Sequence, residues 1–457
     1  MAPMWDVVER AFTGPFCEEQ DYLSRRLIPA LQAAVKRHRI KYDPATPVPW
    51  DDALADAVWQ AAVELFLEAG VYHQDTHRII LFSEEEVREA LYAAPESYTV
   101  GSGRDARTFG RREVEDARPP FCILSPDITY DEPLFLPVCL AYLREPLLDG
   151  FCAPVLESFL GEKIKAYTPL ELGGSLEHAM SLREAARLIG RPGVFLVAVG
   201  TAESDSAQIS VSQEGWGVRP TDSRLVGSIT EFMTNNQLLN KAVHYRQYGC
   251  FSGSLTGAIY GGYAGGAEGT AVLETAYHLK GLLVHFCSYQ QNFPFHLKYG
   301  SNTTRELLWV TSVYSQAIAR NTRLVQTSNG FANAGPGTDM LLYEAAAHAL
   351  ASTVCGANLW EIATARNKCH NRATPLEARL AAEVGHAAAR MRLTRRQANE
   401  IVLKLLQRYE AGIPDAPPGR EFAECYDVAK ARPRPEYLDQ YRRVKRELGE
   451  MGIRFCY

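Results

Sequence analysis

Between residues 119 and 392, apolar runs of strand length alternate with stretches of helical periodicity. The runs fall near 121–125, 149–155, 194–199, 224–229, 250–255, 283–288, 323–328 and 359–364. Apolar positions recur at helical spacing over 170–188, 268–283, 303–319 and 340–350. A strand–helix alternation repeated about eight times predicts an α/β fold, a (β/α)8 TIM barrel. Two of its helices open on Thr-Pro-Leu-Glu, at Thr168–Glu171 and Thr374–Glu377. Each places a threonine cap, a proline at the first helical position and a glutamate at the third.

Both flanks read as helical. In residues 1–118, Trp59, Ala62, Val63 and Leu65 start a helix that stops near Gly70. A short strand over Asp75–Phe82 follows, and Ser83 with Glu86 forms a capping box. Turn-rich sequence from Gly101 to Pro120 leads into the barrel over 119–392. In residues 393–457, Thr394 and Gln397 cap a helix whose apolar face holds Ala398, Ile401, Val402, Leu405, Leu406 and Tyr409. A last helix aligns Tyr437, Tyr441, Val444 and Leu448. The expected organisation is therefore a TIM barrel with N-terminal and C-terminal helical extensions.

Composition narrows the function. In 457 residues, 46% apolar and 22% charged content is that of a globular protein with a sizeable core. A net charge of −6 argues against nucleic-acid and membrane-surface partners. No CxxC pair occurs among the ten cysteines, and Met1–Asp6 lacks the features of a secretory leader. No run approaches the roughly 18 apolar residues of a membrane span. The expectation is a cytoplasmic protein. Asp75-Thr-His77 is similar to the Asp-x-His-x-x-Gly motif of corrinoid carriers, but position 80 is Ile, so His73 and His77 read as structural.

The stretch 253–270 is dense in glycine, at 253, 257, 261, 262, 265, 266 and 269, and a helix is predicted from about Ala267. Such density implies positive φ, close backbone approach or both. It fits an anion cradle, a flat surface admitting something large, or a loop shaped by packing. Neither the dinucleotide nor the phosphate-loop spacing is present.

Catalytic groups in such a barrel come from the C-terminal strand ends. Those ends are expected at Val199-Gly200-Thr201, Leu225, Ser254-Leu255, His285–Tyr289, Ser328-Asn329 and Thr364. They are poor in acids, bases and nucleophiles. Glu203, Asp222, Glu231 and Glu268 read as caps or surface groups, and Lys298 as a solvated loop lysine. No metal cluster or nucleophile elbow appears. A neutral, aromatic, glycine-rich mouth suits a substrate already activated and attacked by a reagent the protein does not supply.

Several long motifs then resemble one family, the monomethylamine:corrinoid methyltransferases of methylotrophic methanogens, known for pyrrolysine. They include Gly70-Val-Tyr-His-Gln-Asp-Thr-His-Arg-Ile79, Tyr260-Gly-Gly-Tyr-Ala-Gly-Gly266, Gly300-Ser-Asn-Thr-Thr-Arg-Glu306 and Ala334-Gly-Pro-Gly-Thr338. The resemblance implies a TIM barrel, a homo-oligomer, and methyl transfer from an amine to Co(I) of a separate corrinoid protein. The corrinoid (cobalamin) would thus be carried by the partner, with none bound covalently here. It also places the loop of Gly261, Gly262, Tyr263, Gly265 and Gly266 where the corrin approaches.

This chain departs from the family at its reactive positions. By matching outward from neighbouring motifs, Val199 stands where pyrrolysine would be, with a two-residue length difference in that register. The two active-site glutamates fall at Leu225 and Leu255, and the glutamine at Asn329. An SN2 displacement by Co(I) needs methyl on a competent leaving group, held in line. The expected activity is methyl transfer from a methylated or quaternary amine to Co(I), without pyrrolysine, with Asn329 orienting the donor. Val199, Leu225 and Leu255 would form an apolar floor, with Phe251, Tyr260 and Phe331 as aromatic faces for a cation. A neutral methyl ether or thioether is the alternative donor. A binding or scaffold protein, and an unrelated phosphate-binding barrel enzyme, are the alternative functions.

Overall fold

The computed structural model describes residues 4–456, so residues 1–3 of the Met1–Asp6 stretch lie outside the described residues. Eight parallel strands close into a barrel, each followed by a helix. The strands are β1 (Cys122–Leu124), β2 (Gly150–Cys152), β3 (Phe195–Val197), β4 (Ser223–Gly227), β5 (Phe251–Thr256), β6 (Tyr289–Asn292), β7 (Gln326–Phe331) and β8 (Asn358–Ala363). The helices are α1 (Glu132–Leu143), α2 (Pro169–Leu188), α3 (Asp205–Ser210), α4 (Asn236–Tyr248), α5 (Ala267–Leu283), α6 (Arg305–Asn321), α7 (Asp339–Val354) and α8 (Pro375–Arg390). Strands pair in chain order, and β8 closes on β1 through Leu359–Cys122, Trp360–Ile123 and Glu361–Leu124. This is the α/β, (β/α)8 TIM barrel that the alternation of runs and helices predicts.

One strand lies elsewhere than expected. The apolar run 283–288 is the end of α5 and its exit loop, whereas β6 is Tyr-Gln-Gln-Asn, polar in sequence yet buried throughout. One outward amide is matched by the helix layer: Asn292 Nδ2 donates to Glu274 Oε1 of α5 at 2.7 Å, while the Gln290 side chain packs there without a hydrogen-bond partner. A Cβ on Gly281 of α5 would lie 1.9 Å from Gln290 Oε1, so that helix position must be bare. Hydrophobicity alone cannot mark a strand whose buried positions are amides.

The base of the barrel is plugged. A hairpin of Ser97–Val100 and Arg107–Gly110 carries Phe109 into it, where the ring stacks on Phe121 at 4.5 Å and meets Tyr289 at 5.0 Å. Gly253 faces the same ring: a Cβ there would lie 2.6 Å from it. Burying each such aromatic contributes on the order of 1.5–3 kcal/mol. Among the described residues, this packing fills the N-terminal end of the barrel interior and leaves its C-terminal end.

The extensions pack on adjacent parts of the helix ring and meet each other, Val48 N–H donating to Asn399 Oδ1 at 3.0 Å. Helices Ile28–Arg37 and Asp52–Ala69 share a core with α5 and α6 through Leu31, Leu65, Phe66, Leu279 and Val313. Helices Arg395–Tyr409 and Pro435–Met451 share another with α7 and α8 through Leu350, Leu380, Val402 and Val444. The capping boxes at Ser83, Thr374 and Thr394 form. The one expected at Thr168 does not: its hydroxyl donates to the Lys165 carbonyl at 2.7 Å. Glu171 is drawn instead to the Ser204 amide beyond β3, at 2.6 Å. His77 bonds Tyr72 and His73 bonds Thr76, both within the β-turn region they belong to.

Candidate functional site at the barrel mouth

Alternate residues of a barrel strand face inward, and parity identifies them. The Ser223 hydroxyl meets the Tyr289 hydroxyl at 2.9 Å inside the barrel, so Leu225 on β4 and Gln291 on β6 share the inward parity. Gly253 faces Tyr289, so Leu255 on β5 does too. On β7, Ser328 points out to His348 of α7 at 3.1 Å, which turns Asn329 inward. Leu225 and Leu255 are half-buried on strands whose neighbouring residues are mostly buried. Their side chains therefore reach accessible space within the mouth. Phe331 at the end of β7 stacks on Phe293 at 5.2 Å, forming part of the rim.

A carboxylate joins them. After β1 the chain turns through Ser125 and Pro126, and Asp127 takes the left-handed conformation, φ 47°. Its Oδ2 accepts from Asn329 Nδ2 at 2.8 Å, while the Ser125 hydroxyl donates to Oδ1. The Trp360 indole of β8 faces this carboxyl, without closing a bond of ordinary geometry. Burial pushes the Asp127 carboxyl above the usual range, against the lowering by Ser125, Asn329 and Trp360. The Asn329 Oδ1 and Gln291 Oε1 atoms are buried and accept no hydrogen bond. Buried acceptors without donors are uncommon, and each asks for a partner.

Outside the strands, helix carboxylates clasp the loops that follow the strands. Glu171 of α2 takes the Ser204 amide and hydroxyl beyond β3. Glu274 of α5 takes the Ala258 amide at 2.6 Å and Asn292 Nδ2. Glu344 of α7 takes the amides of Asn333 and Ala334, each at 2.9 Å, and the Thr303 hydroxyl at 2.5 Å. Burial raises the Glu274 carboxyl to about 8 and raises that of Glu344 as well. Behind Trp360, Glu361 bonds His348 Nδ1 at 2.5 Å with both side chains fully buried.

The structure moves three expected site residues away from the mouth. Val199 is fully buried among Ala179, Ala202, Ala207, Val211 and Val218, in the layer of α2 and α3 outside the barrel. Ala198, at φ 62°, makes that turn and contacts the interior in its place. Phe251 begins β5, and its ring lies 5.5 Å from Tyr98 of the plugging hairpin, at the base. Tyr260 belongs to a two-residue strand, Ile259–Tyr260, that pairs with Phe295–His296. Its ring packs on His296 at 4.9 Å and on the N-terminal helical core. Leu225, Leu255, Asn329 and Phe331 lie at the mouth or its rim.

The glycine loop is exposed at Gly261, Tyr263, Gly265 and Gly266, with Gly262 half-buried. Gly261 and Gly265 have φ 86° and 72°, conformations that favour glycine. Their amides turn back into the loop: Gly261 N–H donates to the Gly265 carbonyl at 2.8 Å, and Gly265 N–H to that of Gly262 at 3.0 Å. The loop thus spends these donors on its own low-relief shape, which disfavours an anion cradle. It borders a groove of about 510 Å³ shared with Leu31, Val35 and Ile40.

Sequence reasoning misses Asp127, Gln291 and Trp360. Asp127 is the first carboxylate after a strand end, a signal available once 121–125 is taken as a strand. Gln291 is hidden by the misplacement of β6. Among the described residues, no His, Cys, Asp or Glu group could hold a metal ion, and no helix is long and apolar enough to cross a membrane.

With this geometry in place, the chain is similar to known proteins along nearly its whole length. Residues 3–453 match the family described as monomethylamine methyltransferase MtmB. The monomethylamine methyltransferase MtmB2 of Methanosarcina acetivorans is 30% identical over 453 residues, covering 99% of this chain and 98% of the relative. The crystal structure of the Methanosarcina barkeri monomethylamine methyltransferase superposes with a TM-score of 0.95 at 28% identity, covering 99% and 98%. A crystal structure of the hydroxylamine MtmB complex matches equally, with a TM-score of 0.95.

Proposed function

The chain belongs to the monomethylamine methyltransferase MtmB family, corrinoid-dependent transferases, and from that premise we propose that it demethylates a small methylated amine without pyrrolysine. The methyl acceptor is Co(I) of a separate corrinoid protein, which supplies the nucleophile. The observation that carries this reading is the inner wall of the mouth. Apolar Leu225 and Leu255 stand where the resemblance puts the family's glutamates, with an Asp127–Asn329 pair at the ends of other strands of the same barrel that still presents hydrogen-bonding capacity.

The barrel's contribution is orientation. The plugged base leaves a single approach, so a donor resting on Leu225 and Leu255 presents its methyl toward the rim. Holding the reacting atoms in line can account for several kcal/mol of the barrier, on the order of 7–11 at best. The partner would approach over the exposed loop at Gly261, Gly262, Tyr263, Gly265 and Gly266, whose lack of side-chain relief admits a broad macrocycle. Association into homo-oligomers is part of the same proposal, by resemblance to the family.

The test mixes the protein with a reduced corrinoid carrier and a panel of methylated amines, a methyl ether and a thioether. Absorbance changes from Co(I) to methyl-Co(III) with at least one amine are expected. Conversion with no member of the panel overturns the reading and leaves a binding protein in its place.

A further inference from the structure

The mouth carries a cluster of hydrogen-bond acceptors, with the unpartnered Trp360 indole N–H facing one of them. Asp127 brings a carboxylate, Asn329 brings Oδ1 and Gln291 brings Oε1, from the β1 loop, β7 and β6 respectively. The Asn329 amide cannot turn its nitrogen toward a ligand without giving up the 2.8 Å bond to Asp127, so its oxygen is the end left over. Both amide oxygens are buried without a donor. The carboxyl oxygens each have one donor and retain lone pairs. Leu225 and Leu255 supply neither donors nor charge. A carboxylate beside these amide oxygens is complementary to a cation that carries N–H groups, and a fully methylated nitrogen has no N–H to give them.

We propose that Asp127, held by Asn329, is the specificity-determining residue that binds the donor as a protonated methylamine with at least one N–H. This rests on the methyltransferase reading above and names the charge state and substitution of its donor. Of the methylated and quaternary amines expected from sequence, this keeps the donors that carry an N–H and drops the quaternary ones.

The chemistry balances with no further reagent. In the protonated donor, the C–N bond breaks with its electron pair left on nitrogen, which departs as a neutral amine. The pair of the Co(I) nucleophile forms the new bond to the methyl carbon, and the cobalt is formally oxidised by two electrons. The N–H proton stays on nitrogen throughout. Asp127 therefore acts by keeping that nitrogen protonated and oriented, since a deprotonated amine would have to leave as an amide anion. It need not itself exchange a proton.

Binding of methylammonium chloride and tetramethylammonium chloride to the full chain, by calorimetry or ligand-observed NMR without any corrinoid protein, separates this inference from the activity. The wild type is expected to bind methylammonium at least tenfold more tightly than tetramethylammonium. D127N should weaken methylammonium binding about ten- to a hundredfold, the range of one lost charge-assisted hydrogen bond. N329A, which frees the carboxylate from its anchor, should weaken it less. Circular dichroism establishes that each variant is folded, and the wild-type ratio decides the matter should D127N not fold. Equal binding of the two cations, or unchanged methylammonium binding in folded D127N, overturns the assignment. Methyl transfer from trimethylamine but not tetramethylammonium in the coupled assay would support it. No transfer from any donor, alongside intact methylammonium selectivity, would overturn only the methyltransferase reading.

Discussion

Two sets of buried acceptors sit within a few residues of one another at the strand ends, and they are finished differently. On the outer side, Glu171, Glu274 and Glu344 rise from α2, α5 and α7, and both oxygens of each accept hydrogen bonds from loop or strand groups. On the inner side, Asp127, Asn329 and Gln291 keep acceptor capacity that nothing in the chain fills. The helix carboxylates hold the fold, whereas the inner groups face the space a ligand would fill, although outward amides such as Gln290 are left unpartnered too. Leaving a buried acceptor empty costs free energy, so a site that tolerates the cost gains it back on binding.

The largest effect should come from breaking the outer set. Glu344→Leu leaves the amides of Asn333 and Ala334 and the Thr303 hydroxyl without their acceptor. Chemical denaturation should show a loss of ~3–5 kcal/mol, in the range of other broken buried networks.

Next in size is the wall between the two. Gly253→Ala drives a Cβ to 2.6 Å from the Tyr289 ring in the packed base, and ~1–3 kcal/mol of stability should be lost. A denaturation midpoint unchanged from wild type would mean that the base is looser than its packing implies.

The inner set should behave in the opposite sense. Asp127→Asn removes a carboxylate whose charged form burial disfavours, and asparagine tolerates the positive φ found there. Stability near neutral pH should change by no more than ~1 kcal/mol, or rise, while ligand binding falls. A variant that loses both together would place Asp127 with the structural carboxylates.

The smallest effect is a pH slope. His178 of α2, fully buried with Nδ1 bonded to Thr201 at 2.9 Å, is pushed by burial down to about 3. Because the unfolded chain binds this proton near 6.5 and the folded one only near 3, stability falls as pH drops through that window. His178→Asn has no such proton to bind. Its stability relative to wild type should improve steadily from pH 6.5 to 4, read by denaturation at each pH.

Buried carboxylates of the helix layer are partly legible in the chain's local patterns. Glu171 and Glu377 both stand out as third-position capping residues, and Glu377 does close the box with Thr374. Glu171 shows the limit of that reading, because local capping competes with a loop that only the closed barrel brings near. Val199 shows a second limit. Matching motifs locates it within a residue of the strand end, but the positive φ of Ala198 decides which neighbour faces the barrel. Phe251 and Tyr260 group with the mouth by residue type, yet one begins a strand and the other lies above its end.

The alternation of apolar runs with amphipathic helices was enough to place seven of the eight strands and to predict the barrel, because the period of burial is written locally in most elements. The long motifs were enough to place the chain in its family. Only the tertiary structure decided which side chains share the mouth. Asp127, Gln291, Asn329 and Trp360 come from four places separated by up to 233 residues, and they meet because β8 closes on β1. Facing and closure depend on register around the whole ring, a property that no single stretch of sequence contains.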